Sequence, residues 1–152
     1  IIAAASKYYD NVIVDIDKRL SGKIKMEILN ISDIVLAMSI QKMHNIKELQ
    51  ALIESGKILK KERTLITLGR YDKNMKYNAK NLSRSVLKQR QIIDTIPYNF
   101  KVAEAIQEGR IIDVIFGIIN LRNADENFFL AQELQRLVDD IDARVLQLEM
   151  RR

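Results

Sequence analysis

The sequence predicts an α/β protein with a mostly parallel sheet, closed by a long C-terminal helix. Four short runs, 11–16, 33–40, 64–68 and 91–96, are apolar and rich in β-branched residues, and each is too short for an ordinary helix. Their apolarity is nearly continuous rather than alternating, as parallel strands covered on both faces require. Helical patterns separate them, and strand–helix alternation implies right-handed crossovers in a three-layer α/β/α domain.

The elements follow in order. The opening I-I-A-A-A-S-K-Y-Y reads as the last turns of a helix feeding the first strand. It lacks methionine and the basic segment of a signal peptide, so the chain is expected to be the C-terminal part of something longer. Residues 22–30 place Ile24, Ile28 and Leu29 on one helical side, and 45–59 do the same with Ile46, Leu49, Leu52 and Ile53. Residues 78–88 set Leu82, Val86 and Leu87 among basic residues. The single proline, Pro97, ends the fourth strand by fixing its own φ and holding Ile96 extended. Asn99 is placed to cap the next helix, and Gly109 suits the left-handed residue after its last turn. From Glu126, the residues Leu130, Leu134, Leu137, Ile141, Val145 and Leu148 share one stripe of a helix about 36 Å long. That helix is expected to cover a face or edge of the sheet.

Composition narrows the functions. The 152 residues are 47% hydrophobic and 30% charged, with a net charge of +5, which suits one globular domain with a core of its own. No window approaches the roughly 18 apolar residues of a membrane span. Asp139, Asp140 and Asp142 also disfavour membrane-surface binding by the last helix. The chain has no cysteine, which removes disulfides, thiolate metal sites and cysteine nucleophiles and fits a cytoplasmic setting. One histidine, His44, rules out a multi-histidine metal site and reads as a surface residue. Charge is divided unevenly: 57–90 holds eleven Lys and Arg against two acids, whereas 124–150 holds seven acids against two arginines. Such a split suggests separate surfaces for separate partners.

The stretch with the most chemical content is 91–109, Q-I-I-D-T-I-P-Y-N-F-K-V-A-E-A-I-Q-E-G. A strand-to-helix turn of this kind belongs at the carboxyl edge of a parallel sheet, where open α/β proteins bind ligands. A second candidate is Y-D-N-V-I-V-D-I-D over 9–17, whose apolar run would deliver Asp15 to the same edge to hold a Mg²⁺-bound water, with Asp17 beside it. The bland alternative for both acids is that of any strand ending in a polar loop. In 73–90, Lys73, Lys76, Lys80, Arg84 and Lys88 line a loop and helix, and Lys76, Lys80 and Arg84 recur every four residues. They would follow an anionic backbone without reading its sequence, or simply form a solvated basic face.

The 91–109 segment resembles the I-P-Y-D-x-x-V-x-x-A-x-x-x-G element of the MinD/ParA family of P-loop ATPases, and 9–17 is similar to that family's Walker B strand. Ile16-Asp17-Lys18-Arg19 replaces the usual proline-containing switch, and this variant looks like the divergent CpaE/TadZ branch that positions pili and secretion machines. In 65–72, L-I-T-L-G-R-Y-D, Gly69 stands where the family has an adenine-contacting asparagine, followed by Arg70, Tyr71 and Asp72. The resemblance implies a Rossmann-like P-loop domain, ATP and Mg²⁺ as ligands, homodimerisation, a protein localisation partner, and non-specific DNA as a further one. It assigns the base to the backbone of Pro97, Tyr98 and Asn99, beside Gly69 and Asp72; Arg70 would stack its planar guanidinium on the base or equally be a surface arginine. Two readings stand beside it: a non-catalytic scaffold of the same fold, and a nucleic-acid-binding module using 57–90. The chain contains no G-x-x-x-x-G-K-[ST] loop to cradle phosphates, so hydrolysis by this polypeptide alone is not expected.

Overall fold

Among the described residues three parallel strands form the sheet, in the order β1 (Val35–Ile40), β2 (Thr64–Tyr71), β3 (Ile93–Pro97). The computed structural model describes residues 1–17, 19–56, 59–85, 93–120 and 127–150. It divides into two units, Ile1–Ser32 and Asp33–Arg152.

The first unit contains helix α1 (Ile2–Ala5) and helix α2 (Gly22–Ile31). Residues 9–17 between them form no strand, a correction to the expected element at 11–16. Ile13 is 96% exposed there, and Val12 and Val14 are also open to solvent. β-Branched composition favours extended backbone, but a strand exists only through a neighbour's hydrogen bonds, and this segment has no pairing partner among the described residues.

In the second unit β1 leads to helix α3 (Met43–Ser55), which ends where Gly56 turns left-handed at φ +59°. A 3₁₀ turn, Lys61–Arg63, enters β2, and helix α4 (Ala79–Ser85) precedes β3. Helix α5 (Phe100–Gln107) follows with Gly109 at φ +69° beyond it, then helix α6 (Ile111–Ile119) and helix α7 (Phe128–Glu149). The core joins α3 to the sheet: Ile46, Leu49, Ile53, Leu59, Ile66, Leu68, Leu82 and Ile93 are buried together. Burying one such side chain is worth about 1.5–3 kcal/mol, so this cluster carries much of the unit's stability.

β2 is the central strand and is buried from Thr64 to Leu68. β1 departs from expectation, because Leu36 and Met38 are exposed while Val35 and Ala37 pack against the core. Only one of its faces is covered, although its apolar run is continuous.

The long C-terminal helix is present, with Leu130 and Leu137 of its stripe buried. α7 runs antiparallel to the strands. Its first turn meets the carboxyl edge, where Asn99 Nδ2 donates to Asn127 Oδ1 at 2.5 Å. Near its other end Arg144 Nη1 donates to the Glu62 carbonyl, beside the start of β2, at 2.7 Å. Asp94 and Thr95 point to opposite faces of β3, yet both meet α7, through Arg136 and Glu133 respectively. The helix therefore lies along β3, as a natural cover for the edge that no strand pairs among the described residues. α6 was not expected from the sequence. I-I-D-V-I-F-G-I-I carries neither alternation nor a polar face, and Ile112 and Phe116 remain exposed in the fold.

Candidate functional site

The carboxyl ends of β1, β2 and β3 converge, and the 69–72 and 97–99 segments meet there. Tyr71 is the register partner of Pro97, and the Tyr98 N–H donates to the Tyr71 carbonyl at 3.4 Å. Between Gly69, which pairs with Ile96, and Tyr71, one residue is extra. That residue is Arg70, held at φ +52° in a β-bulge. A non-glycine side chain in left-handed backbone costs on the order of 1 kcal/mol, and the residue that bears it here is exposed.

Gln41 is the keystone of this edge, and sequence reasoning missed it. Buried immediately after β1, it receives the Asp72 N–H on Oε1 at 2.9 Å. Its Nε2 donates to the carbonyls of Asp72 at 3.1 Å and Tyr77 at 2.8 Å. One amide thus ties β1 to the loop after β2, satisfying three backbone groups. A lone glutamine at a strand end gives no spacing signal; only the fold reveals the pairing. The same loop is shaped by Asp72, whose Oδ1 accepts from the Asn74 N–H at 2.9 Å, and by Tyr71, whose hydroxyl accepts from the Ala79 N–H at 3.1 Å. Asn78 caps α4 through the Asn81 N–H at 3.0 Å.

On the β3 side, Asn99 caps α5 as its sequence position predicts, with Oδ1 accepting from the Val102 N–H at 3.1 Å. Its amide is then fully engaged, one end by the cap and the other by Asn127. Tyr98 is 62% exposed and follows Pro97, the register partner of Tyr71. Gly69 itself has room: a Cβ built there would meet only the Ser39 carbonyl oxygen, at 3.9 Å.

The acids of the first unit are placed differently. Asp15 is exposed on the segment that forms no strand, so no strand end delivers it. Asp17 is bound locally by Arg19, whose Nε and Nη2 reach the two carboxylate oxygens at 2.9 Å each. A carboxylate held this way is partly neutralised as a metal ligand. The basic residues Lys73, Lys76, Lys80 and Arg84 are all exposed, whereas Lys88 lies outside the described residues. Lys73 stands 5.3 Å from the Phe129 ring centre, and Lys80 lines, with Tyr71, Thr95, Phe129, Glu133 and Arg136, an open cleft of about 460 Å³ along the edge of β3. His44 is on the surface, 3.2 Å from Glu48.

Asp94 is a further group that sequence reasoning passed over. It is 1% exposed, and neither carboxylate oxygen receives a hydrogen bond from an N–H or O–H among the described residues. Burial pushes its carboxyl up to about 7, helped by the neighbouring Asp140 carboxyl and, more weakly, Glu133, against the pull of Arg136.

No family model, no curated protein and no solved structure matches this chain. Among the described residues no helix is long and apolar enough to cross a membrane, and no group of three or more His, Asp or Glu could hold a metal ion.

Proposed function

We propose that this chain forms the base-facing part of a MinD/ParA-like, Rossmann-type P-loop ATPase with a three-layer α/β/α build, a positioning protein that dimerises when it holds ATP. The observation that carries this reading is the junction of 69–72 with 97–99, side by side at the carboxyl edge of parallel β2 and β3. Ligands of open parallel sheets bind at that edge. The junction offers an adenine ring the space over Gly69, the flat guanidinium of Arg70 and the exposed ring of Tyr98, while the Tyr98 N–H and the Asn99 carbonyl are held by Tyr71 and Ala103. Gly69 leaves the floor open where the family has an amide. The phosphates and Mg²⁺ require a glycine-rich loop and a metal-facing acid. The sequence holds no such loop, and Asp15 lies on a segment that forms no strand to deliver it.

Adenosine and guanosine titrations followed by amide NMR test the base-facing role. Adenosine should shift the amides of Gly69, Arg70, Tyr98 and Asn99 at lower concentration than guanosine, and Gly69→Asn should tighten that binding by about ten-fold. Shifts confined to other residues, or equal response to both nucleosides in both proteins, would overturn the reading. The exposed run Lys73, Lys76, Lys80 and Arg84 favours a second reading, non-specific DNA binding beside the same edge. Charge reversal at Lys76, Lys80 and Arg84 should then abolish salt-sensitive DNA binding, and unchanged binding would remove it.

A further inference from the structure

The edge of β3 contains a feature that nucleotide binding does not use. Asp94 and its register partner Thr67 are both buried, at 1% and 0% exposure, and the Thr67 hydroxyl and both Asp94 oxygens have no hydrogen-bond partner among the described residues. A buried carboxylate without a donor is costly, because the charge has left water and nothing replaces the lost hydration. The charged groups that face Asp94 are Asp140, Arg136 and Glu133, all on α7. β2 presents it with uncharged Thr67, and α4 places Lys80 in the cleft on the Thr95 side. Arg136 Nε is 3.8 Å from Asp94 Oδ1, beyond hydrogen-bond reach, and half of its side chain is in water. Asp140 is another carboxyl, so a hydrogen bond joins the two only while one of them keeps a proton.

We propose that α7 is a pH-governed strap, clasped to the edge of β3 by a proton shared between the carboxyl groups of Asp94 and Asp140. While Asp94 is protonated, its O–H donates to the Asp140 carboxylate, and a strong charge-assisted bond links strand to helix. When the proton leaves to water, a buried Asp94 charge faces the half-exposed Asp140 carboxylate, and Arg136 screens them only in part. The middle turns of α7 then loosen, while Leu130 and Leu137 still hold the helix by apolar burial. Asn127, at the head of α7, bonds the side chain of Asn99, so the strap reaches the turn after β3 whatever that turn binds.

The sign of the effect follows from linkage. The carboxyl keeps its proton up to about pH 7 in the docked state, against an ordinary value of 3.8. Docking therefore gains from this proton at low pH, weakens as pH rises from about 4 towards 7, and changes no further above that. Three pH units of displacement cap the weakening at roughly a thousand-fold.

Hydrogen–deuterium exchange of the whole chain between pH 5 and 8.5, corrected for the intrinsic rate, tests the strap. Protection of 133–145 should fall about ten-fold or more relative to α3 between pH 5 and 7 and level off above about pH 7. The Val102 amide, which donates to Asn99, should follow the same profile. Asp94→Asn keeps a donor towards Asp140 at every pH and should abolish the fall while leaving α7 docked. Asp140→Asn, on the helix and outside the core, should move the levelling-off point to lower pH. A fall that survives Asp94→Asn, or α7 protection that follows α3 throughout, would overturn the proposal. If Val102 ignores a transition that α7 shows, the link to Asn99 is wrong.

Discussion

Replacing Gln41 with alanine should cost the fold about 3 kcal/mol. The side chain makes three hydrogen bonds, to the N–H and carbonyl of Asp72 and the carbonyl of Tyr77. Each contributes about 0.5–1.5 kcal/mol net, and any partner left buried without a substitute costs about 1–3 kcal/mol. Because the 72–77 loop is exposed, water can reach some of the freed groups, which holds the sum near the lower end. For a chain of this size 1 kcal/mol shifts Tm by roughly 2–4 °C, so Gln41→Ala should melt about 6–12 °C lower, with a matching fall in urea midpoint at unchanged slope. Gln41→Glu is the sharper variant. It keeps the acceptor for the Asp72 N–H but aims an oxygen at two carbonyls, and should do at least as much damage as alanine at neutral pH. Gln41→Met keeps the volume and should resemble alanine if hydrogen bonding is what matters. A loss below about 0.5 kcal/mol in Gln41→Ala, or a Gln41→Glu as stable as wild type, would refute the keystone role.

Three other perturbations have clear signs. Arg70→Gly should stabilise the fold by up to about 1 kcal/mol by relieving the left-handed backbone, while weakening adenosine binding if the guanidinium stacks on the base; thermal melts and the NMR titration separate the two effects. Asn99→Ala removes both the α5 cap and the bond to Asn127 and should cost about 1–2 kcal/mol in urea unfolding, whereas Asn99→Asp keeps the cap and should cost less. Global stability should fall as pH rises from about 4 to 7. The folded protein holds a proton on Asp94 that the unfolded chain has lost, so the displacement to about 7 sets an upper limit of about 4 kcal/mol. Asp94→Asn should flatten that slope, and urea midpoints across the range would show it.

Much of the second unit could be read from local chemistry. Pro97 stops a strand wherever it stands, Asn99 caps a helix through its own side chain, and Gly109 tolerates the left-handed turn. The apolar runs of β1, β2 and β3, separated by helical patterns, led to a parallel sheet. These are properties of a residue and its near neighbours. Where partners decide, the sequence misled or was silent. The 11–16 run has the composition of a strand but no neighbour to bond among the described residues, and β1 is apolar throughout although Leu36 and Met38 meet solvent. α6 escaped notice because a short run that is apolar on every side has no period to read.

For the candidate edge the division is the same. The identities of Gly69, Arg70 and Tyr98 were visible in the chain, but their meeting depends on the β2–β3 register and the bulge at Arg70. Gln41 and Asp94 gained their roles from residues more than thirty positions away, on the 72–77 loop and on α7. The sequence by itself determined where backbone could bend, extend or coil, because φ/ψ preference and capping act within a few residues. Tertiary structure alone decided which polar groups left water and what then faced them, since desolvation and hydrogen bonding depend on distance in space rather than along the chain.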